Sequence, residues 1–212
     1  MPAKKTVALV ANGAIHSPTC LAPRIKQYQQ IIAVDGGLYY CDLMQICPEL
    51  IVGDLDSISQ ELLKKYSHVP IYSLPIDKDE TDLECAVRLV AKPDVAKITI
   101  FGALEKRTDH ALGNLHILRR YPHKVFIESE TELIFAIKGK SDIPCTIGQT
   151  ISFIPLGGPV TGVTSKGLKW ELNNASFDKD FMSISNICLN PSIQVSIASG
   201  DLLCILQTSS SL

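Results

Sequence analysis

The chain changes rhythm about two-thirds of the way along, and that change limits its fold more than any other feature. Up to about residue 130, short apolar runs rich in β-branched residues alternate with segments of helical period. The runs are VALVA (7–11), IIAVD (31–35), ELIVG (49–53), VPIYSL (69–74), KITIFG (97–102) and KVFIE (124–128). Such alternation is the pattern of βα units around a largely parallel sheet flanked by helices on both faces. From about residue 131 the helical period disappears. TELIFAI, QTISFIPL, GVTSKGLKWEL, SIQVSIA and DLLCILQ follow, separated by Gly, Pro, Asn and Ser, as in a small antiparallel sandwich or barrel. The expected organisation is an α/β N-terminal domain over 1–140 and a small all-β C-terminal domain over 141–212, with the switch around Gly139–Pro144.

Composition narrows the function. A formal net charge of -2 leaves no basic field to hold a nucleic-acid backbone, and no Lys/Arg run supplies a local one. The seven cysteines are scattered and odd in number, with no CxxC pair, so neither a disulfide framework nor a thiolate zinc site is indicated. The apolar run after Lys4 and Lys5 is too short for a signal-peptide core or a membrane span. The expectation is a cytoplasmic enzyme with neither nucleic acid nor membrane as partner.

The chemistry concentrates in the acidic segments. In IVGDLDSIS (51–59), Ile51 and Val52 end a strand, Gly53 permits a turn, and Asp54 and Asp56 occupy the loop at the strand's carboxyl end, with Ser57 or Ser59 placed to cap a helix. In open α/β sheets that edge is where ligands bind. A second cluster, PIDKDETDLECAV (75–87), again stands between a strand-like run and a helix whose stripe is Leu83, Ala86, Val87 and Val90. Thr81 and Glu84 have capping-box spacing; Asp77 and Asp79 lie outside the box, and Asp82 falls in the first turn, where the helix dipole favours an anion. Any one of these aspartates is explained by turns and caps. Two acidic clusters at one edge repel each other unless a cation sits between them, and a hard divalent ion such as Mg²⁺, shared with substrate phosphates, is the economical choice. A third segment, IFGALEKRTDHALGNLHIL (100–118), adds Arg107, suited to fork onto phosphate oxygens, Asp109 near a helix start, and His110 and Asn114 four residues apart on one helical face.

Taken together, VDGG (34–37), GDLDS (53–57), DKDETD (77–82), RTDHALGNL (107–115) and GLKWEL (167–172), followed by Ser185–Asn186, resemble the motifs of the thiamine pyrophosphokinase family in family order. The resemblance implies transfer of the terminal pyrophosphate of ATP to the thiamine hydroxyl. It implies that Asp54, Asp56 and Asp79 hold Mg²⁺ around the ATP phosphates, supported by Asp82. Asp35, Gly36 and Gly37 would line the nucleotide, with Ser57, Lys78, Arg107, Asp109, His110 and Asn114 completing its pocket. Asp79, Thr81, Asp82, Trp170, Ser185 and Asn186 would face the substrate. Arg107 or Lys78 would offset charge on the leaving group. The family is a homodimer with thiamine held between the α/β domain of one subunit and the β domain of the other. This chain departs from the pattern at Glu105 and Lys106, where the family has small, Gly-rich residues, and at Ile187, where it commonly has Glu.

Two rival readings remain on the residues alone. An Asp-dependent phosphohydrolase would want its DxDx(T/S) motif after the first strand and Thr or Ser at position 58, which is Ile58. A non-catalytic thiamine- or nucleotide-binding regulator would have little use for so many metal-facing carboxylates.

Overall fold

The structure is a computed structural model and describes residues 4–208. The chain divides into two compact units. The first takes the chain through Asn114 together with Ile127–Glu130, and the second takes Leu115–Phe126 and the chain from Thr131.

The first unit is built as βα repeats: β1 (Lys5–Val10), α1 (Pro18–Ile25), β2 (Gln30–Val34), α2 (Gly37–Leu43), β3 (Leu50–Gly53), α3 (Gln60–Lys65), β4 (Ile71–Ser73), α4 (Asp82–Val90), β5 (Val95–Phe101) and the first half of α5 (Thr108–Arg120), which passes into the second unit after Asn114. Its strands pair in parallel in the order β5-β1-β2-β3-β4. The central strand β1 buries four consecutive residues, Val7 to Val10, as a strand covered on both faces must. On α4 the predicted stripe Leu83, Ala86, Val87 and Val90 is buried. Its N-terminus carries the capping box read from Thr81 and Glu84: the Thr81 hydroxyl accepts from Glu84 N–H and the Glu84 carboxylate accepts from Thr81 N–H. One core cluster gathers Ala8, Leu21, Leu38, Ile51 and Phe101 among others. Each large side chain buried there contributes about 1.5–3 kcal/mol.

The second unit follows β6 (Val125–Glu128), which straddles the division, and contains β7 (Glu132–Ile137), β8 (Lys140–Pro144), β9 (Thr150–Pro155), β10 (Val160–Lys166), β11 (Ala175–Phe177), β12 (Ser183–Ile187), β13 (Ser192–Ser196) and β14 (Leu202–Gln207). Strands β12-β9-β14-β7 and β11-β10-β13-β8 form antiparallel ladders. Phe153, Phe177, Val163, Ile193 and Cys204 are fully buried in their shared core. Along β13 the period-two pattern is plain: Ile193 and Val195 are buried while Ser192 and Gln194 are exposed. Three short strands, β8, β11 and β12, have no counterpart in the sequence reading, because they are brief and half polar and their order comes from pairing. The run GVTSKGLKWEL does not continue as one strand: β10 stops at Lys166, and Gly167 takes φ +92 to turn the chain. Among the described residues, no helix is long and apolar enough to cross a membrane.

Candidate functional site

In the first unit the loops leaving the carboxyl ends of β1, β2, β3 and β5, with the segment ahead of α4, enclose a cleft of about 400 Å³. Asn12 and Gly13 follow β1, Asp35 follows β2, and Asp54, Asp56 and Ser57 follow β3. Lys78, Thr81 and Asp82 lead into α4, and Gly102 to Arg107 follow β5. This is the edge at which a parallel sheet offers unpaired loop ends to a ligand.

Local conformation explains how the acidic residues converge. Gly53 has φ +156, and a Cβ there would lie 3.0 Å from Asp35 Cβ, so the end of β3 approaches Asp35 only with glycine in place. Asp54 Oδ1 accepts a hydrogen bond from Asp56 N–H at 3.2 Å, and Leu55 between them takes φ +70. The Asp-x-Asp pair is therefore a tight Asx-type turn. The Ser57 hydroxyl donates to Asp56 Oδ1 at 3.0 Å, while Ser59, the second of the two expected capping candidates, is the N-cap of α3 and accepts from Leu62 N–H.

Carboxylate oxygens of Asp35, Asp54 and Asp82 lie within 4.8 Å of one another. Lys78 sits among them, with Nζ 2.9 Å from Asp82 Oδ1 and 3.5 Å from Asp54 Oδ2. Burial pulls the Lys78 ammonium down, but the Asp82 and Asp54 carboxylates outweigh it and hold its pKa above the ordinary lysine value. Asp35 is raised, chiefly by burial, with the Asp82 and Asp56 charges adding; the nearby Ser57 hydroxyl and Gly36 N–H dipoles oppose the shift. Asp35 Oδ1 is buried with no hydrogen-bond partner. Asp82 Oδ1 is buried as well, and the Lys78 ammonium beside it compensates charge without an aligned hydrogen bond. One ammonium for three carboxylates leaves an excess of negative charge in a half-enclosed site. The donor set is all oxygen, as a hard divalent cation prefers, so the residues present fit Mg²⁺.

The expected site residues divide in this geometry. Asp35, Asp54, Asp56, Ser57, Lys78, Thr81, Asp82, Arg107, His110 and Asn114 line the cleft. The close trio is Asp35, Asp54 and Asp82, whereas the sequence expectation grouped Asp54 with Asp56 and Asp79. Asp56 is taken up by the Ser57 hydroxyl, and Asp79 stands exposed in the loop before α4, outside the cleft lining. Gly36 and Gly37 are buried: a Cβ on Gly37 would fall 1.9 Å from Val10 O, so this glycine lets α2 pack against the end of β1, and a Cβ on Gly36 would fall 2.4 Å from the Asn12 side chain, which lines the cleft. Asp109 turns onto Arg107, whose Nε and Nη2 reach its two oxygens at 3.1 and 2.6 Å. That pairing lowers the Asp109 carboxyl to about 2. Asn114 is buried and donates from Nδ2 to Ala103 O at 2.7 Å, tying α5 to the loop after β5. Asn12, Gly13 and Lys106 also line the cleft. The sequence reading overlooked them as site residues, although ANG (11–13) stands just past a strand end like every other loop here.

The remaining candidates belong to the second unit. Trp170 is 54% exposed and lies in the loop after β10, with Lys169 Nζ 4.6 Å from its ring centroid. The side chain of Asn186 holds that loop from both ends of its amide: Nδ2 donates to Trp170 O at 2.7 Å, and Oδ1 accepts from Trp170 N–H at 3.1 Å and also from Ile187 N–H at 2.9 Å. Asn186 thus pairs with the Trp170 backbone as a strand would. Ser185 adopts φ +58 at the irregularity in the β12–β9 register, and its N–H donates to the Ser152 hydroxyl. Phe181, Met182, Ile184 and Leu189 are also exposed around this segment.

Comparison with known proteins also finds two parts in this chain. Residues 21–128 match the model for the thiamin pyrophosphokinase catalytic domain, and residues 136–202 match the thiamin pyrophosphokinase vitamin B1 binding domain. Thiamine pyrophosphokinase 3 of Oryza sativa subsp. japonica is 33% identical over 167 residues, 72% of this chain and 62% of that protein. Thiamine pyrophosphokinase of Bacillus subtilis is 29% identical over 214 residues, 96% of this chain and 99% of that protein. The chain thus spans less than two thirds of the length of the plant relative. The crystal structure of the Bacillus subtilis protein superposes with a TM-score of 0.84 at 27% identity, covering 97% of this chain and 100% of that one. Yeast thiamin pyrophosphokinase, at 19% identity, shares the fold with a TM-score of 0.86, covering 98% of this chain and 87% of that one. With both domain models matched in order along its length, the chain belongs to the thiamin pyrophosphokinase family.

Proposed function

We propose that this protein is an Mg²⁺-dependent ATP:thiamine diphosphotransferase that acts as a homodimer and releases thiamine pyrophosphate and AMP. The observation that carries the reading is the cleft of the first unit, where four sequence-distant motifs contribute a carboxylate trio, a bridging lysine and a forked arginine. In the reaction the thiamine hydroxyl oxygen forms a bond to the β-phosphorus of ATP and the bond from that phosphorus to the α-phosphate oxygen breaks. AMP leaves with the electron pair and the hydroxyl proton is lost. Phosphoryl chemistry of this kind needs positioning and charge neutralisation more than covalent help from the protein.

Asp35, Asp54 and Asp82 would hold Mg²⁺, with Asp56 at the edge of the same site. The ion, when bound, neutralises phosphate oxygens and orients the polyphosphate chain. Lys78 holds positive charge beside Asp54 and Asp82, where it limits the repulsion a polyphosphate would meet. Arg107, oriented by Asp109, presents a guanidinium suited to bidentate phosphate recognition. For thiamine, the exposed indole of Trp170 offers a face for the cationic thiazolium, and Lys169 already places a cation there. Such a contact contributes about 0.5–2 kcal/mol. The exposed Phe181, Met182, Ile184 and Leu189 support a second copy of the chain as the partner of this surface.

The test is to incubate the purified chain with ATP, Mg²⁺ and thiamine, with and without EDTA, and to resolve the nucleotide products. Thiamine-dependent AMP that disappears with EDTA is expected. ADP and phosphate formed without thiamine would make the protein a hydrolase, and tight thiamine binding without turnover would make it a regulator.

A further inference from the structure

The loop between β5 and α5 places two successive residues that carry a Cβ in the left-handed region, Glu105 at φ +61 and Lys106 at φ +60. That region is disfavoured for such residues, and runs of it persist where the surroundings hold them. Here the hold is visible on both. Glu105, which also lines the cleft, pairs with His16 at 2.6 Å. Lys106 turns across the cleft, where Nζ donates to Asn12 Oδ1 at 3.0 Å and stands 5.2 Å from the centroid of the Tyr40 ring. The other long cations lining the cleft are each paired with carboxylates, Lys78 with Asp54 and Asp82 and Arg107 with Asp109 along its Nε and Nη2 edge. Among the described residues Lys106 makes no ion pair with a carboxylate; its partners are a neutral amide and a ring face. Its charge is therefore stationed in the cleft and still available to an anion.

We propose that Lys106 is a phosphate-binding residue of this cleft, its ammonium held by Asn12 and Tyr40 to meet the β- and γ-phosphoryl oxygens of a nucleoside triphosphate. The inference rests on the nucleotide reading of the cleft given above and adds a residue to it. An ammonium on phosphate is a charge-assisted contact, so its loss is felt in proportion to the phosphates present and not through the base or the ribose.

The experiment compares binding of Mg²⁺-ATP and of AMP to the native chain and to Lys106→Met and Lys106→Arg variants by titration calorimetry, with thermal melting as a check on the fold. Lys106→Met is expected to weaken ATP binding about tenfold, to leave AMP binding within about twofold, and to lessen the salt dependence of ATP binding. Lys106→Arg restores most of the ATP affinity. Unchanged ATP binding in Lys106→Met, an equal loss for ATP and AMP, or failure of arginine to rescue would each overturn the proposal. Product analysis on the same samples separates the two readings. A native chain that forms thiamine-dependent AMP while Lys106→Met binds ATP normally removes only Lys106. A Lys106-dependent preference for ATP in a native chain without thiamine-dependent AMP supports the phosphate contact and removes the transferase.

Discussion

The acidic cleft of the first unit and the Trp170 surface of the second solve opposite problems. The cleft is built by charge. Its carboxylates are half-buried, turned toward one another and only partly compensated by Lys78, so the free chain stores repulsion that a bound cation would relieve. The Trp170 surface is built by backbone order: an exposed indole rides on a loop fixed by the buried amide of Asn186, with apolar neighbours left open to solvent. On the proposed function, a multiply charged ligand would be met by groups whose positions matter through electrostatics, and a flat, singly charged one by a rigid aromatic platform. The two regions should accordingly fail in different ways when single groups are removed.

The largest effect is expected at the cleft. Asp54→Asn keeps shape but removes one charge of the trio, and turnover should fall about 10²–10³-fold, while the melting temperature stays level or rises as repulsion is relieved. Near-normal turnover measured by AMP formation would take Asp54 out of the charge-built site. On the other surface, Trp170→Ala should raise the thiamine KM about tenfold, in line with loss of one stacking contact, and leave the ATP KM alone. Equal shifts in both would mean that Trp170 has no separate substrate role.

A subtler change sharpens the contrast. Asn186→Asp preserves size and the acceptor facing the Trp170 N–H but loses the donor to Trp170 O. Because Trp170 is the single tryptophan, its emission reports the loop directly. A shifted emission maximum together with a raised thiamine KM and little change in ATP binding is expected. Unaltered emission would show that the loop is held by other contacts.

Sequence and fold part company in an instructive way. The alternation of β-rich runs with helical stripes was enough to place the parallel sheet, and the Thr81–Glu84 box and the stripe from Leu83 to Val90 are found as read, because both depend on contacts within a few residues. Period-two patterning likewise exposed the antiparallel half. What stayed hidden depended on pairing between distant segments. Strands β8, β11 and β12 are too short and polar to announce themselves, and nothing in GLKWEL reveals that Gly167 turns the chain and leaves Trp170 on a loop.

The site shows the same boundary. The sequence by itself determined that acidic segments, a forked arginine and a lone tryptophan are present, and that the acidic segments stand past strand ends; strand periodicity and turn-forming residues are local properties. Only the tertiary structure decided which aspartates meet. Asp35 and Asp82 come from motifs nearly fifty residues apart, and they converge with Asp54 because neighbouring strands β2 and β3 end together and α4 starts beside them. It also decided that Gly37 lets α2 approach the end of β1, that Asn186 holds the Trp170 backbone, and that Lys106 reaches Asn12 across the cleft. The reason is geometric: a side chain's chemistry is fixed by its residue type, but its partners are fixed by strand order and loop direction, which no local pattern encodes.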